Sequence, residues 1–290
     1  MIAVVCMKWG TAFGPEYVNV LFRGVKQNLS EPFSFYCFTD NPAGLADGIV
    51  ARPLPELSFL PPKRFRMGCW PKIGLFQPKL IEEDRALFLD LDVIVTGSLD
   101  GFVDQQHAEG GLYILREWNS GLWNLLPLAL RPDRGAQSSV FAWSPTEQQH
   151  IYEALRADPE ASFAAFKNDQ QFIRRMARGL RYWPHKWAVS FKKSCVWLYP
   201  FNLVLPNRLP PASASLVVFH GAPRPHEVAR SGTERWGTSR RFGFGPIAWV
   251  QAYWSGKDDA RIGQRRVPPS VRSSLMETPS FVVLLLAIML

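Results

Sequence analysis

The stretch LFLDLDVIVTGSLD, from Leu87 to Asp100, places two carboxylates, Asp90 and Asp92, in an apolar run rich in Leu, Ile and Val. An ionised carboxylate is costly to bury unless something pairs with it. The pattern predicts a central strand, in which residues two apart point to the same side. Two negative charges at this short distance repel each other, and a bound divalent cation would remove the repulsion. Because hard oxygen ligands suit Mn²⁺ or Mg²⁺, and phosphates often complete such sites, we expect a metal that bridges the protein to a diphosphate.

Segments of strand and helix character alternate on both sides of this stretch. Residues 2–6 (IAVVC) and 34–39 (SFYCFT) are strand-like, and apolar residues recur at helical spacing from Tyr17 to Leu29 between them. This alternation predicts an α/β fold with a mixed, mostly parallel central sheet flanked by helices. Further strands are predicted at 111–115, 138–143 and 214–220, a long loop at 52–71, and helices at about 72–82, 144–157 and 168–179.

Composition and charge narrow the class of protein. With 290 residues and 47% hydrophobic residues, the chain can form a substantial core, which excludes disorder for most of it. We expect one domain over residues 1–254 and a loosely held basic tail over 255–290, whose apolar end, 281–290, is too short to cross a bilayer. The N-terminus is interpreted as a first strand without a secretory leader, and the scattered cysteines as reduced thiols in a cytoplasmic protein.

The formal net charge of +8 is unevenly spread. No Asp or Glu occurs between Gln170 and His226, whereas the same segment is rich in Arg and Lys. Such a segment favours an anionic ligand or surface, or is simply a solvated basic face. Its basic residues are Arg174, Arg175, Arg178, Arg181, Lys186, Lys192, Lys193, Arg208 and Arg224.

A histidine ends another predicted strand. His220 in VVFHG could supply a nitrogen ligand to the ion expected at Asp90 and Asp92, and Gly221 after it permits close backbone approach to a ligand. The alternative is a hydrogen-bonded structural histidine.

Four motifs together resemble those of nucleotide-sugar-dependent glycosyltransferases with the GT-A (Rossmann-like) fold, most closely the retaining, glycogenin-like and lipopolysaccharide galactosyltransferase-like family 8. They are FLDLDVIV, GCWPKIGLF, NDQQFI and VVFHG, in that order. The resemblance implies transfer of a sugar from a nucleotide-linked donor, expected in the UDP form, with retention at the anomeric carbon. It also implies site residues: Asp90, Asp92 and His220 as ligands of Mn²⁺ (or Mg²⁺), Asp90 and Lys72 at the donor diphosphate, Asp169 and Gln170 beside the donor sugar, and Thr39 and Asp40 near the nucleoside.

The chain departs from the family pattern in two places. Gln137, Ser138 and Ser139 stand where the family has Asn-Ser-Gly before its donor-sugar strand. HGAPRPHE, residues 220–227, replaces the usual histidine-to-lysine motif, so Gly221 and Arg224 are the candidates for contact with the phosphates. The acceptor region does not match.

Alternatives remain open from the sequence. The Asp-x-Asp motif also resembles that of haloacid-dehalogenase-like phosphatases, although about 85 residues of α/β character precede it here. A non-catalytic nucleotide-sugar-binding protein is a further alternative. Lys72 could be a surface lysine, and Asp169 could serve only its helix terminus. We expect a saccharide or lipid-linked acceptor, no nucleic-acid partner, and peripheral contact with an anionic membrane surface at its cytoplasmic face.

Overall fold

A computed structural model describes residues 1–66, 69–119, 123, 126–197, 199, 201–205, 207–230, 236, 243 and 245–256. Ten strands lie within these residues: β1 (Ile2–Lys8), β2 (Phe33–Thr39), β3 (Ile49–Arg52), β4 (Ala86–Leu89), β5 (Val93–Val95), β6 (Leu112–Arg116), β7 (Ala136–Trp143), β8 (Leu180–Tyr182), β9 (Ala188–Ser190) and β10 (Leu216–Val218). Eight α-helices connect them: α1 (Pro15–Asn28), α2 (Pro62–Arg66), α3 (Asp100–Glu109), α4 (His150–Ala157), α5 (Pro159–Ala165), α6 (Asp169–Met176), α7 (Pro225–Ala229) and α8 (Ala248–Ser255).

Seven strands form the central sheet in the order β3-β2-β1-β4-β7-β6-β8. Only β7 runs against its neighbours, and the other pairs are parallel. A second sheet, β5-β10-β9, stands beside it. The predicted mixed, mostly parallel sheet is therefore confirmed.

Apolar side chains cover both faces of the central sheet. Helices α1 and α3 pack on one face through residues such as Leu21 and Phe102, and α4 to α6 pack on the other through Leu155, Phe163 and Phe172. A third apolar cluster surrounds β10 and α8. This layering, with helices on both faces of the sheet, is the α/β arrangement expected from the alternating pattern.

Several predicted elements differ from the structure. The stretch 87–95 is not one strand: β4 and β5 belong to different sheets and are separated by Asp90, Leu91 and Asp92. The helix predicted at 72–82 is a buried 3₁₀ helix, Trp70–Phe76, because Pro78 and the positive φ of Lys79 follow it. The helix predicted from Ser144 begins at His150, after a turn.

The sequence pattern did not reveal β3, β8 and β9, which are only three or four residues long, or the helices α2, α3, α5, α7 and α8. The prediction of a long loop at 52–71 is wrong in part, because α2 and the start of the 3₁₀ helix lie within it. In contrast, β1, β2, β6, β7 and α6 lie within a few residues of their predicted positions. No described helix combines the length and apolar character needed to span a bilayer. Residues 257–290, which hold nearly all of the predicted tail including 281–290, lie outside the described residues.

Candidate active site

The paired aspartates lie where the chain passes from one sheet to the other. The Asp90 backbone N–H donates to the Ser139 carbonyl at 2.8 Å, which extends the β4–β7 ladder by one bond. The Val93 N–H then donates to the Asp90 carbonyl at 3.2 Å, closing a tight turn. Leu91 between the aspartates is buried in the core. The two carboxylates are therefore brought together by a turn between two sheets, and the period-two strand that the sequence predicted is absent at these residues.

On one side of this turn lies a group that we call the lysine cluster: Lys72, Asp90, Ser138 and Asp169. The Lys72 ammonium is 2.7 Å from Asp90 Oδ2 and donates to the Ser138 carbonyl at 3.2 Å. The Ser138 hydroxyl donates to Asp169 Oδ2 at 2.6 Å. Lys72 and Asp169 are only 4% and 1% exposed. The alternative of a surface lysine at position 72 is therefore excluded, and Ser138 links the buried Lys72 and Asp169 side chains.

Local structure fixes each member of this cluster. Lys72 lies on the 3₁₀ helix Trp70–Phe76, all of whose residues are buried. Asp169 is the first residue of α6, whose N-cap is Asn168: the Asn168 side chain accepts a bond from the Gln171 N–H. Because Asn168 does the capping, the Asp169 carboxylate is free to turn towards Ser138, and its role is not limited to the helix terminus.

The segment that departs from the family pattern builds this cluster. The Gln137 side chain accepts from the Ser139 N–H and donates to the Ser139 hydroxyl, at 2.8 and 2.7 Å. The register between β6 and β7 shifts at this point, which leaves Ser138 and Ser139 free of regular pairing with β6. Ser138 can thus serve both Lys72 and Asp169. The sequence signal for Ser138 was present, but it was read only as a departure.

Burial and charge shift the pKa values in the lysine cluster. Burial alone would lower the pKa of Lys72, but the nearby Asp90, Cys69 and Asp169 outweigh it and raise the pKa well above its ordinary value. Burial raises the pKa of Asp169 to about 6, against the opposing effects of Lys72 and the Ser138 hydrogen bond. Lys72 is therefore a permanent cation, whereas Asp169 changes charge slightly below neutral pH.

On the other side of the turn lies the histidine cluster: Asp92, Ser190, Lys192, His220 and Gly221. The Gly221 N–H faces Asp92 Oδ2 at 3.4 Å, and the Phe219 N–H donates to the Asp92 carbonyl at 3.1 Å. Both neighbours of His220 therefore contact Asp92. This proximity follows from the topology, since β5 and β10 pair antiparallel immediately beyond these residues.

The His220 imidazole is held by its own set of contacts. Nε2 lies 2.6 Å from the Ser190 hydroxyl, the ring stacks on Trp118 with centroids 5.5 Å apart, and the Lys192 ammonium donates to the His220 carbonyl at 2.8 Å. Burial, together with Lys192 and Lys193, lowers the pKa of His220 to about 4. The ring is therefore neutral at physiological pH, the form in which an imidazole binds a metal.

The residues around the turn carry a net negative charge, which favours the binding of a divalent cation. Burial and Asp90 raise the pKa of Asp92 to about 6, which records a conflict between like charges. When all are ionised, the three carboxylates Asp90, Asp92 and Asp169 against the ammonium groups of Lys72 and Lys192 leave a net charge of −1. Within the part of the chain that the structure describes, however, no three His, Cys, Asp or Glu side chains are placed to hold an ion. The predicted three-ligand set is not assembled here, because His220 Nε2 is bonded to Ser190.

The remaining predicted residues lie at the rim. Asp40 follows β2 and accepts the Gly10 N–H at 2.8 Å, so it fixes the loop after β1. The Arg224 guanidinium donates to the Ala12 carbonyl at 2.6 Å and packs over the Phe13 ring. Gln170 is half-buried beside Asp169. Gly221 has φ +84°, a conformation that favours glycine. The side chains of Asp40, Gln170 and Arg224 do not join the lysine cluster, and Gly221 belongs to the histidine cluster.

The fold is shared with known sugar-transferring enzymes. The galactosyltransferase LgtC, solved with donor and acceptor sugar analogues, superposes with a TM-score of 0.51 and 13% identity over 77% of this chain and 88% of LgtC. The glycosyltransferase GlyE of Streptococcus pneumoniae TIGR4 gives 0.55 and 14% over 90% of this chain and 63% of GlyE. The chain has the GT-A glycosyltransferase fold.

A third structure with this GT-A fold, the bifunctional glycosyltransferase WbbM, gives a TM-score of 0.50 and 12% identity over 77% of this chain. The chain spans about two thirds of GlyE and 46% of WbbM, so each of these has substantial further sequence. The sequence itself matches no family model and no curated protein. The expected GT-A fold is therefore confirmed by structure, at sequence identities of 12–14%.

Proposed function

We propose that the protein is a glycosyltransferase that moves a sugar from a nucleotide-sugar donor, in the UDP form, to a saccharide or lipid-linked acceptor. The observation that carries the proposal is the ion pair between the buried Lys72 and the partly exposed Asp90, beside Asp92 and at the carboxyl end of β4. Open α/β sheets bind ligands at this edge. The fold that places these residues is that of LgtC, which was solved with donor and acceptor sugar analogues.

In this proposal Asp90 and Asp92 hold Mn²⁺ or Mg²⁺, and His220 joins them as a third ligand after its Nε2 leaves Ser190. Such an ion, when bound, stabilises the negative charge that develops on the departing diphosphate. Lys72 pairs with Asp90 and, in this proposal, contributes a fixed positive charge near the oxygens of the departing diphosphate. Gly221 and Arg224 form the rim on the phosphate side, and Asp40 forms it on the nucleoside side.

Asp169 and Gln170 are proposed to line the pocket of the donor sugar. The Ser138 hydroxyl holds the Asp169 carboxylate, so its position is defined before any ligand binds. A solved LgtC structure carries an active-site mutation of glutamine to glutamate, which gives a precedent for glutamine at this kind of site. Retention at the anomeric carbon is part of the proposal and comes from the family resemblance.

A cytoplasmic location completes the proposal. All four cysteines are free, and Cys6 and Cys37 are buried thiols on adjacent strands, which suits a reducing compartment.

The experiment is turnover of a panel of UDP-, GDP- and CMP-sugars with Mn²⁺, followed by NMR of the released sugar. We expect hydrolysis or transfer from one UDP-sugar, with the donor's anomeric configuration in the first-formed product. Asp92→Asn should lower the rate at least 100-fold, since a charge stabiliser of the leaving group is worth roughly 3 kcal/mol or more. Asp104→Asn, at an exposed position on α3, is the matched control and should leave the rate unchanged.

The same assay separates the alternatives. Metal-dependent UDP binding without turnover of any donor would indicate the non-catalytic binding protein. Hydrolysis of p-nitrophenyl phosphate in place of sugar nucleotides would indicate the phosphatase, which the structural comparisons do not favour because the similar structures are glycosyltransferases.

A further inference from the structure

Exposed apolar side chains lie between Cys195 and Arg208, where the structure describes residues 196, 197, 199, 201–205 and 207. The Arg208 N–H donates to the Cys195 carbonyl at 3.0 Å, which closes the base of the excursion. Within it, Phe201 is 58% exposed, Val204 is 80% exposed and Tyr199 is 58% exposed. Leu203, Leu205 and Leu209 are exposed as well. Large apolar side chains clustered at this density mark an interaction surface.

The turn is built to present these side chains. The N–H groups of Val204 and Leu205 both donate to the Phe201 carbonyl, at 3.2 and 2.9 Å, and the intervening Asn202 is buried. Asn202 therefore faces inward while Phe201 and Val204 face outward. The exposed side chains thus lie on a turn with its own backbone hydrogen bonds.

The charge around the turn selects its partner. The whole segment between Gln170 and His226 lacks acidic residues, and exposed Arg208 packs over the Trp197 ring at the base of the turn. Exposed Lys186 lies in the same segment. An apolar turn in a segment without acidic residues of its own, with the exposed Arg208 at its base, matches an anionic lipid surface, where apolar side chains enter the interface and Lys or Arg contact the headgroups.

The turn is also close to the candidate active site. It follows directly on the short helix Phe191–Cys195, whose Lys192 bonds the His220 carbonyl and whose Lys193 bonds the Trp118 carbonyl. Trp118 is the ring that stacks on His220. Docking through the turn would thus hold the histidine cluster near the surface that is bound.

We propose that the apolar turn formed by residues 199, 201–205 and 207–209 docks the protein on an anionic phospholipid bilayer. The proposal is independent of the identity of the donor, because it concerns a surface and not the nucleotide site.

The test is co-sedimentation of the full chain with vesicles of phosphatidylcholine, with and without 30% phosphatidylserine. We expect binding to the anionic vesicles that weakens with salt, and at least a tenfold loss of it in the double variant Phe201→Ser/Val204→Ser. Val204→Ser and Val50→Ser form a matched pair of single variants, since Val50 is 40% exposed on β3 at the opposite edge of the central sheet from β8. Only the former should weaken binding, and unchanged melting temperatures check the folding of each variant.

Equal binding of the double variant and the wild-type chain would overturn the proposal and assign vesicle binding to another segment, such as 281–290. Absence of binding by the wild-type chain would also overturn it, and a concentration-dependent mass in light scattering would then assign the turn to a second copy. UDP binding in solution should be the same in all variants, so this result stands apart from that of the proposed function.

Discussion

The lysine cluster and the histidine cluster meet at Asp90 and Asp92, but they are held in different ways. In the first, a buried ammonium pairs with a carboxylate, and a serine hydroxyl binds a second carboxylate. In the second, a neutral imidazole is hydrogen-bonded to a serine hydroxyl and stacks on a tryptophan ring, and backbone groups make most of the other contacts. Charge pairing fixes the lysine cluster before a ligand binds, whereas the histidine cluster can change its contacts at small cost.

The largest effect should come from breaking the ion pair between Lys72 and Asp90. Lys72→Met leaves the buried Asp169 and the partly exposed Asp90 without their cation, so we expect a loss of about 2–4 kcal/mol in the free energy of unfolding. Urea denaturation at neutral pH measures it. The control is Lys63→Met, at an exposed position on α2, which should change stability by less than about 0.5 kcal/mol. A loss as small as that of the control would show that the ion pair does not hold the cluster.

The second effect is a pH dependence. The pKa of Asp169 is raised to about 6 in the folded protein from an ordinary value of 3.8, so the folded state binds the proton more tightly than the unfolded state. Its stabilising contribution is full below pH 3.8 and is lost as the pH rises through about 6. Asp169→Asn should therefore gain stability relative to wild type between pH 5 and 7.5, by roughly 1–3 kcal/mol. Parallel stability curves for the two proteins would refute this.

A smaller effect should follow from removing the bridge between the two charges. Ser138→Ala deletes the hydroxyl bonded to Asp169 and should cost about 1–2 kcal/mol. It should also raise the pKa of Asp169 further, because that hydrogen bond lowers it. Ser213→Ala, at an exposed turn, is the control. NMR titration of the Asp169 carboxyl carbon checks the direction, and a downward shift would contradict the assignment.

The smallest expected effect is on the affinity for Mn²⁺, and it concerns the histidine cluster. If His220 must leave Ser190 to bind the ion, Ser190→Ala removes a competing hydrogen bond worth about 1 kcal/mol and should tighten Mn²⁺ binding roughly fivefold. His220→Ala should weaken it. Electron paramagnetic resonance of free Mn²⁺ measures both affinities. Changes in the same direction would remove His220 from the ligand set.

The sequence predicted the strands that carry strong apolar patterns, such as β1, β2 and β7, and the helix α6 with its Asn168 cap. The prediction failed where the chain passes from the central sheet to the second sheet. The apolar pattern of residues 87–95 is the same for one long strand as for two short strands joined by a turn. The very short strands β8 and β9 carry too few residues for any periodicity.

The sequence predicted several of the residues of the site, but not the hydrogen bonds and ion pairs that join them. The sequence motifs and the family resemblance identified Lys72, Asp90 and Asp169 as site residues. The structure brings these three residues into one cluster. Ser190 was missed because a serine carries no pattern that separates a site residue from an ordinary one, and Ser138 was named only as part of a departure from the family pattern. Their roles depend on the β6–β7 register shift and on the pairing of β9 with β10, which are tertiary features.

The central claim is that Asp90 and Asp92 bind a nucleoside diphosphate through a divalent cation. Calorimetric titration of UDP into the wild-type protein at pH 7.5, with Mn²⁺ and again with excess chelator, tests it most directly. The account predicts saturable binding with Mn²⁺ that is lost on chelation and in Asp92→Asn, while Asp104→Asn still binds. UDP binding of equal affinity with and without the metal, or in wild type and Asp92→Asn alike, would contradict it.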